Sequence, residues 1–461
     1  VEFECRRELL MNKSDMNVMT EGPIWKKIVL FALPIMWGNL FQQLYNIVDS
    51  LIVGNFLGKD ALAAVSSSGS IIFLLVGLFS GIFIGAGVVI SRFYGAKDYK
   101  NMGIAIHTSI AFALISGILL TIIGILLVPL LLRLMKTPES VLPNSILYFR
   151  IYFGGVMAVI LYNTASGIFQ AVGDSKHPLY YLIISSVINV VLDLLFVAVF
   201  HMGIAGAGYA TVISQCVSAL LGFIRLSRLD TPYRVDWHKI SINPGMLRQI
   251  LSMGIPSGLQ NSIISIANIV VQSNINAFGA MAVAGCGAYS RIEGFGFLPI
   301  TSFALSMTTF IGQNLGAKKY DRARKGSIFG IFATTILAEL VGLLIYWLAP
   351  LLISGFSRVP EVIEYGTLQA RTVALFYFLL AFSHCIAGIL RGAGKSLIPM
   401  LVMLLCWCII RITYVSIITN YVPGIKVVFW AYPITWTLSS LCFLLYYLKA
   451  DWLHYYDKIN A

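Results

Sequence analysis

The chain is predicted to be an all-α polytopic membrane protein, with twelve transmembrane helices in two six-helix bundles related by a parallel pseudo-two-fold repeat. Three observations predict this. Of its 461 residues, 58% are hydrophobic and 11% charged, whereas a soluble domain carries about a quarter charged residues. The apolar residues come in runs such as 104–128 and 326–348, each longer than the ~20 residues a helix needs to cross the hydrocarbon core. Turn and kink residues recur at a shift of about 221 residues. Short alternating segments, the mark of a membrane barrel, are absent from the sequence.

The apolar runs predict helices over 28–54, 61–92, 104–128, 145–171, 179–201 and 204–226, then over 249–276, 281–314, 326–349, 366–390, 399–420 and 427–448. The chain divides accordingly into an N-terminal segment (1–27), an N-lobe (28–226), a linker (227–248), a C-lobe (249–448) and a tail (449–461). The first run is too long for the apolar part of a signal peptide, so no cleavable leader is expected. The linker is polar and carries Arg228, Arg234, Asp236 and Lys239. Twelve crossings put both termini on one side. With that side inside, the inner segments hold 23 Lys and Arg against five in the outer loops, Lys59, Arg133, Lys136, Arg358 and Lys426. Such a bias predicts a multi-pass protein of the plasma membrane with both ends cytoplasmic.

The repeat rests on residues a shared backbone needs twice. Leu33-Pro34 answers to Ile255-Pro256, Asn46-Ile47-Val48 to Asn268-Ile269-Val270, and Gly95-Ala96-Lys97 to Gly316-Ala317-Lys318. Gly167-Ile168 matches Gly388-Ile389, and Gly173 with Pro178 matches Gly394 with Pro399. Each half has an even number of helices, so both insert with the same orientation, about an axis along the membrane normal. Two rigid bundles that rock about a shared cavity suit a transporter.

The net charge of +12 does not indicate a nucleic-acid partner, because the basic residues sit in short loops between apolar runs. The seven cysteines are scattered, six of them in apolar runs, with no CxxC pair, which predicts neither a disulfide framework nor a transition-metal site. The expected partner is the lipid bilayer, with the chain itself monomeric.

An ionisable residue inside a transmembrane helix costs roughly 2.5–3.5 kcal/mol on insertion scales and is a functional candidate by default. Asp49 in the first predicted helix and Asp193 in the fifth stand out. Gln42, Tyr45, Asn46 and Asp49 are spaced three and four apart and share a face, as do Asn189 and Asp193. Two carboxylates with neutral oxygen donors suit a bare hard cation such as Na+. They equally suit a proton, since burial and like-charge repulsion favour the neutral acid. The plainer alternative is a structural helix-to-helix hydrogen bond, which is more plausible for either acid alone than for the pair. Under the repeat Asp49 falls on Val271 and Asp193 on Tyr414. The seventh helix keeps a polar face (Asn261, Ser265, Asn268, Gln272) without charge, so the cation site is confined to the N-terminal half, while Asn261, Asn268 and Gln272 are expected in the substrate cavity or its hydrogen-bond network.

These residues resemble multidrug and toxic compound extrusion (MATE) transporters from about Met16 to Tyr447, closest to the DinF-like and MepA-like branch. The carrying features are Pro34 in the first helix, Asp49 followed by Leu51-Ile52-Val53-Gly54, Gly-Ala-Lys at 95–97, and Asn189 with Asp193. The resemblance implies a cation site of Asp49, Asn189, Asp193 and Thr211, and a surrounding network that includes Tyr45, Tyr148 and Asn163. It also implies a V-shaped pair of bundles exporting amphipathic, usually cationic compounds. Where the NorM-like branch places acids in the second half, this chain has Ile264 and Leu380.

The expected function is therefore efflux by antiport against Na+ or H+, with no other cofactor. A lipid-linked precursor flippase is the alternative, and it should show a strongly cationic central cavity. An intramembrane enzyme finds no support in any nucleophile, zinc or nucleotide motif. Arg291 and Glu293, two apart on one helix, face different ways, with ion pairing slightly ahead of cavity lining. A satisfied polar contact is expected for Glu339 and His384, while Arg411 is evenly balanced between contact and cavity. Trp452, Tyr455 and Tyr456 fit an interfacial anchor.

Overall fold

The computed structural model of the chain describes residues 18–134, 138–139, 141–422 and 424–455, with backbone alone for 59, 60, 62, 63, 66–75 and 134. Cys5, most of the N-terminal segment, Lys136 and Tyr456 lie outside the described residues. No strand occurs among the described residues. The helices are α1 (Ile24–Leu57), α2 (Lys59–Gly95), α3 (Tyr99–Leu134), α4 (Leu142–Gly154 and Val156–Ala171), α5 (Lys176–Val199) and α6 (Ile204–Arg228). The second bundle has α7 (Pro244–Asn276), α8 (Ala280–Gly316), α9 (Tyr320–Ser354), α10 (Pro360–Gly392), α11 (Leu397–Tyr421) and α12 (Ile425–Lys449). Most run a turn or more past the predicted ends, because helix continues through the polar interfacial layer where the apolar signal stops. Ten of the described helices are long and apolar enough to cross a membrane, and α4 is an eleventh if its two pieces form one span. The remaining helix, α7, has 33 residues and so spans about 50 Å. Its polar positions Gln260, Asn261, Ser265, Asn268 and Gln272 dilute the apolar run.

Three helices depart from regularity in ways the apolar pattern does not show. The pieces of α4 meet at Gly154-Gly155 with a 46° bend, where a Cβ on Gly155 would come 2.3 Å from Val212 Cγ1. A π-helical turn, Leu194–Val199, directly follows Asp193 in α5, and another, Leu404–Ile410, directly precedes Arg411 in α11. Such turns rotate the next side chains away from their regular face and are frequent at functional sites.

The bundles meet along crossed arms. The start of α1 packs into the second bundle, burying Ile28, Phe31, Ala32 and Ile35 with that core. The start of α7 packs into the first, burying Met246 and Ile250 with Ile82, Ala86 and Val89. Each arm ends near a proline, Pro34 or Pro256. The α2–α7 crossing is made of glycine: a Cβ on Gly81 would lie 2.0 Å from Gly258 N, and one on Gly85 2.4 Å from Gly254 N. At the repeat-related α1–α8 crossing, serines replace the glycines. Ser302 Oγ accepts from Asn39 Nδ2 at 3.4 Å and Ser306 Oγ donates to Ile28 O at 3.2 Å. The repeat partners Gly95 and Gly316 meet each other's helix reciprocally, Gly95 against Gln313 O and Gly316 against Arg92 O, which places the pseudo-two-fold axis at that crossing.

All these contacts lie toward the end of the molecule that bears the linker. There Met19, 2% exposed, is held by Gln313, whose Oε1 accepts from Met19 N at 2.9 Å while its Nε2 donates to Ala171 O at 2.8 Å. Arg322 donates to the carbonyls of Met19, Glu21 and Gly22. The linker is tied to α3: His107 Nε2 accepts from Asp236 N at 3.0 Å, and Thr108 Oγ1 from Asn243 N at 3.2 Å. The backbone N–H of His238 and the ammonium of Lys239 hold the exposed Asp236 carboxyl below its usual range. Trp452 differs from its predicted place at an interface. The chain turns back after α12 and buries Trp452 against Tyr447, with ring centroids 5.4 Å apart.

Candidate functional site

A cavity of about 630 Å³ opens between the bundles, walled mainly by α1 and α4 of the first, with α2, α5 and α6 contributing. The α1 face read from the sequence lines it as a continuous strip: Pro34, Gln42, Tyr45, Asn46 and Asp49. α4 contributes Tyr148, Tyr152, Tyr162 and Asn163, α6 contributes Thr211 and Gln215, and Asn261 of α7 and Arg291 of α8 close the far side. Tyr45 reaches the side chains of Gln42 and Gln215, and Tyr148 sits against Asp49, Asp193, Tyr152 and Tyr45.

Behind this wall, Asp193 and Asn189 are 0% and 1% exposed and Asp49 is 8% exposed. The carboxyl groups of Asp49 and Asp193 lie side by side, in direct electrostatic contact. Among the described residues, Asp49 Oδ1, both oxygens of Asp193 and both polar atoms of Asn189 are buried without a hydrogen-bond partner. Orphaned buried polar atoms are costly and rare, and here they are concentrated where two helices converge. Four oxygens converging from α1 and α5 can hold a small cation, or a proton between the carboxyls. Thr211 Oγ1 donates to Ala207 O at 3.0 Å, which leaves its lone pairs available toward the cavity it lines.

Asn268, Gln272, Glu293 and Arg411, expected around the same cavity or its network, are not on its wall. Gln272 Nε2 instead donates to Asn276 Oδ1 along its own helix at 3.0 Å. The other three form a separate cluster inside the second bundle. Arg411 is 1% exposed and donates to Thr435 Oγ1 from Nε (3.2 Å) and Nη2 (2.9 Å) and to Asn268 Oδ1 from Nη1 (3.4 Å). Its guanidinium lies 4.6 Å from the ring centre of Tyr432 and 5.5 Å from that of Trp407. Glu293 accepts from Tyr289 Oη at 3.3 Å, and Tyr289 and Tyr377 hydroxyls pair at 3.0 Å. Glu293 and Arg411 feel each other's charge without closing to an ion pair. Arg291, which faces the central cavity, also forms no ion pair among the described residues, so the pairing expected for these two is not seen.

Glu339 accepts from Phe378 N at 3.1 Å, capping the second part of α10 after its 3₁₀ turn Ala374–Phe376. His384 differs from expectation: its Nε2 is buried and unpartnered, with the ring edge-on to Phe297 and Trp407. The cavity's basic side chain is Arg291 alone among the described residues, far from the strongly cationic lining a pyrophosphate carrier needs. Sequence reading missed Tyr152, Tyr162 and Gln215. Tyr152 lies four residues after Tyr148 and Tyr162 four before Ser166, on the two sides of a bend that hides their common face, and Gln215 is four residues from Thr211, a spacing that would have found it.

The family profile described as MatE matches residues 34–195 and again 256–417, two stretches offset by the repeat itself. The chain is 30% identical over 438 residues to a probable multidrug resistance protein, YpnP, of Bacillus subtilis (strain 168), covering 94% of this chain and 97% of that one. It is 23% identical over 445 residues to the multidrug export protein MepA of Staphylococcus saprophyticus, covering 96% and 97%. A solved structure described as the outward-facing conformation of a multidrug resistance MATE family transporter of the MOP superfamily superposes with a TM-score of 0.90. It is 25% identical, and the match covers 95% of this chain and 98% of the other.

Proposed function

The chain belongs to the MatE family of membrane transporters, and is thus a transporter and not an enzyme; from that premise we propose that it exports amphipathic, usually cationic organic compounds by antiport against Na+ or H+. The observation that carries this reading is the set of four orphaned buried oxygens on Asp49, Asn189 and Asp193, beside a cavity of drug-sized volume. Asp49, Asn189 and Asp193 hold the ion, and Thr211 adds an oxygen from α6. The tyrosines around Tyr148 and the amides Gln42, Asn46 and Asn163 receive the substrate, whose positive charge the same acids attract.

Ion and substrate thus compete for one electrostatic well, which couples them. The lobes 28–226 and 249–448 rock about the glycine seam, and Pro34 lets the cavity-lining part of α1 move apart from the arm packed in the second bundle. The linker-side seam is closed, and the charge bias of the loops makes that side cytoplasmic, so this state faces outward. The ion can shift the equilibrium only by its differential affinity for the two states. The test is flux of an organic cation in proteoliposomes under imposed Na+ or pH gradients, with wild type and Asp49→Asn. Export driven by either gradient in wild type and lost in the variant supports the reading. Flux indifferent to both gradients, or unaltered in Asp49→Asn, overturns it.

A further inference from the structure

A second concavity of about 600 Å³ lies on the opposite side of the wall that bounds the central cavity. The same two helices make both. α6 turns Thr211 and Gln215 toward the cavity and Val212, Cys216, Ala219 and Leu220 toward the groove; α4 turns Val159 and Asn163 one way and Ala158 and Leu161 the other. The groove exists because Gly154 and Gly155 bend α4 and present no side chain at the bend. From there it runs down α6 to Arg228 and Trp237. Sixteen residues of helix separate Val212 from Arg228, about 24 Å. That length matches one leaflet, roughly 15 Å of hydrocarbon plus about 5–8 Å of headgroup layer. The walls are apolar over the hydrocarbon stretch, and the polar groups gather at the far end. There Trp237 Nε1 donates to Ser227 Oγ at 2.9 Å, its ring set against Phe223 at 5.6 Å. Arg228 is exposed and makes no ion pair among the described residues.

We propose that this groove is a binding site for one anionic glycerophospholipid of the leaflet on the linker side, an acyl chain lying along α4 and α6 and the phosphate on Arg228. An acyl chain gains little by exchanging lipid neighbours for an apolar groove, so selectivity comes from the headgroup. A basic residue at the membrane surface favours an anionic headgroup by about fivefold. The bound chain braces the bend of α4 from behind, on the helix that sets Tyr148 against the acid pair.

The test is lipid retention by the full chain purified from vesicles of equal phosphatidylglycerol and phosphatidylcholine, read by native mass spectrometry. Wild type should retain one phosphatidylglycerol about fivefold over phosphatidylcholine. Arg228→Gln should erase the preference and Arg228→Lys restore most of it, both being exposed changes that leave the fold intact. Leu220→Trp, which fills the groove, should lose the retained lipid of either kind. In parallel, labelling of Cys216 by a lipophilic maleimide should be slower in vesicles containing phosphatidylglycerol than in pure phosphatidylcholine. Equal retention of both lipids by wild type, or a preference that survives either Arg228→Gln or Leu220→Trp, overturns the proposal.

Discussion

The two bundles share a backbone plan and bury charge in opposite ways. In the first, Asp49 and Asp193 sit together with oxygens that no donor among the described residues satisfies, next to a cavity. In the second, Arg411 occupies nearly the repeat position of Asn189 and is held by Thr435, Asn268 and two aromatic faces. A buried charge held by hydrogen bonds and aromatic faces ties helices together, while converging orphaned carboxyl oxygens beside a cavity mark a candidate binding site. The difference teaches that duplication of the scaffold did not duplicate the site. One bundle carries the proposed cation site, and the other holds its buried arginine among hydrogen bonds and aromatic faces.

The largest effect that can break this comparison is on ion binding. Asp193→Asn should weaken Na+ or proton binding by more than about thirtyfold, the loss of about 2–5 kcal/mol for truncating one member of a buried charge interaction. Glu293→Gln in the second bundle should leave it within about threefold, under 1 kcal/mol. Calorimetry or 22Na+ binding to the purified protein reads both, and equal losses from the two variants would remove the asymmetry. Arg411→Met should instead lower thermal stability by about 1.5–3 kcal/mol, the worth of charge-assisted hydrogen bonds, with the coupling ratio of residual transport unchanged.

Next in size is the seam. Gly85→Val brings a side chain against the backbone of Gly254 and should cost about 1–3 kcal/mol by overpacking, concentrated in the state closed at the linker side. Increased thiol accessibility of a cysteine placed on the linker-side face of α2 would show the seam opening. Ser306→Ala at the related α1–α8 crossing should cost only about 1 kcal/mol, one hydrogen bond. The smallest effect is that of Thr211→Ala, which should weaken Na+ by about threefold to tenfold, a neutral oxygen ligand being worth about 0.5–1.5 kcal/mol, and leave H+ dependence nearly untouched. Na+ binding to wild type should also fall as pH is lowered, because a proton on Asp49 or Asp193 occupies the oxygens the ion needs. A Thr211→Ala variant with equal losses for both ions would favour protons as the physiological driver.

The sequence by itself determined the class, the repeat and the one face of α1 that lines the cavity. These are properties of composition and helical periodicity: an apolar run long enough to span lipid is helical wherever it lies, and Gln42, Tyr45, Asn46 and Asp49 share a face by spacing alone. Tertiary structure decided what long-range packing decides. The glycines at 81, 85, 254 and 258 read as ordinary small residues until two backbones are seen to touch through them. Asn268 and Arg411 are 143 residues apart, and nothing local says that one satisfies the other. Thus Asn268, Glu293 and Arg411, placed by the sequence in the cavity or its network, form a cluster of their own inside the second bundle. Periodicity says which side chains share a face of one helix, but which neighbour that face meets depends on tilts, π-helical turns and a bend at Gly155 that exist only once the bundles are packed.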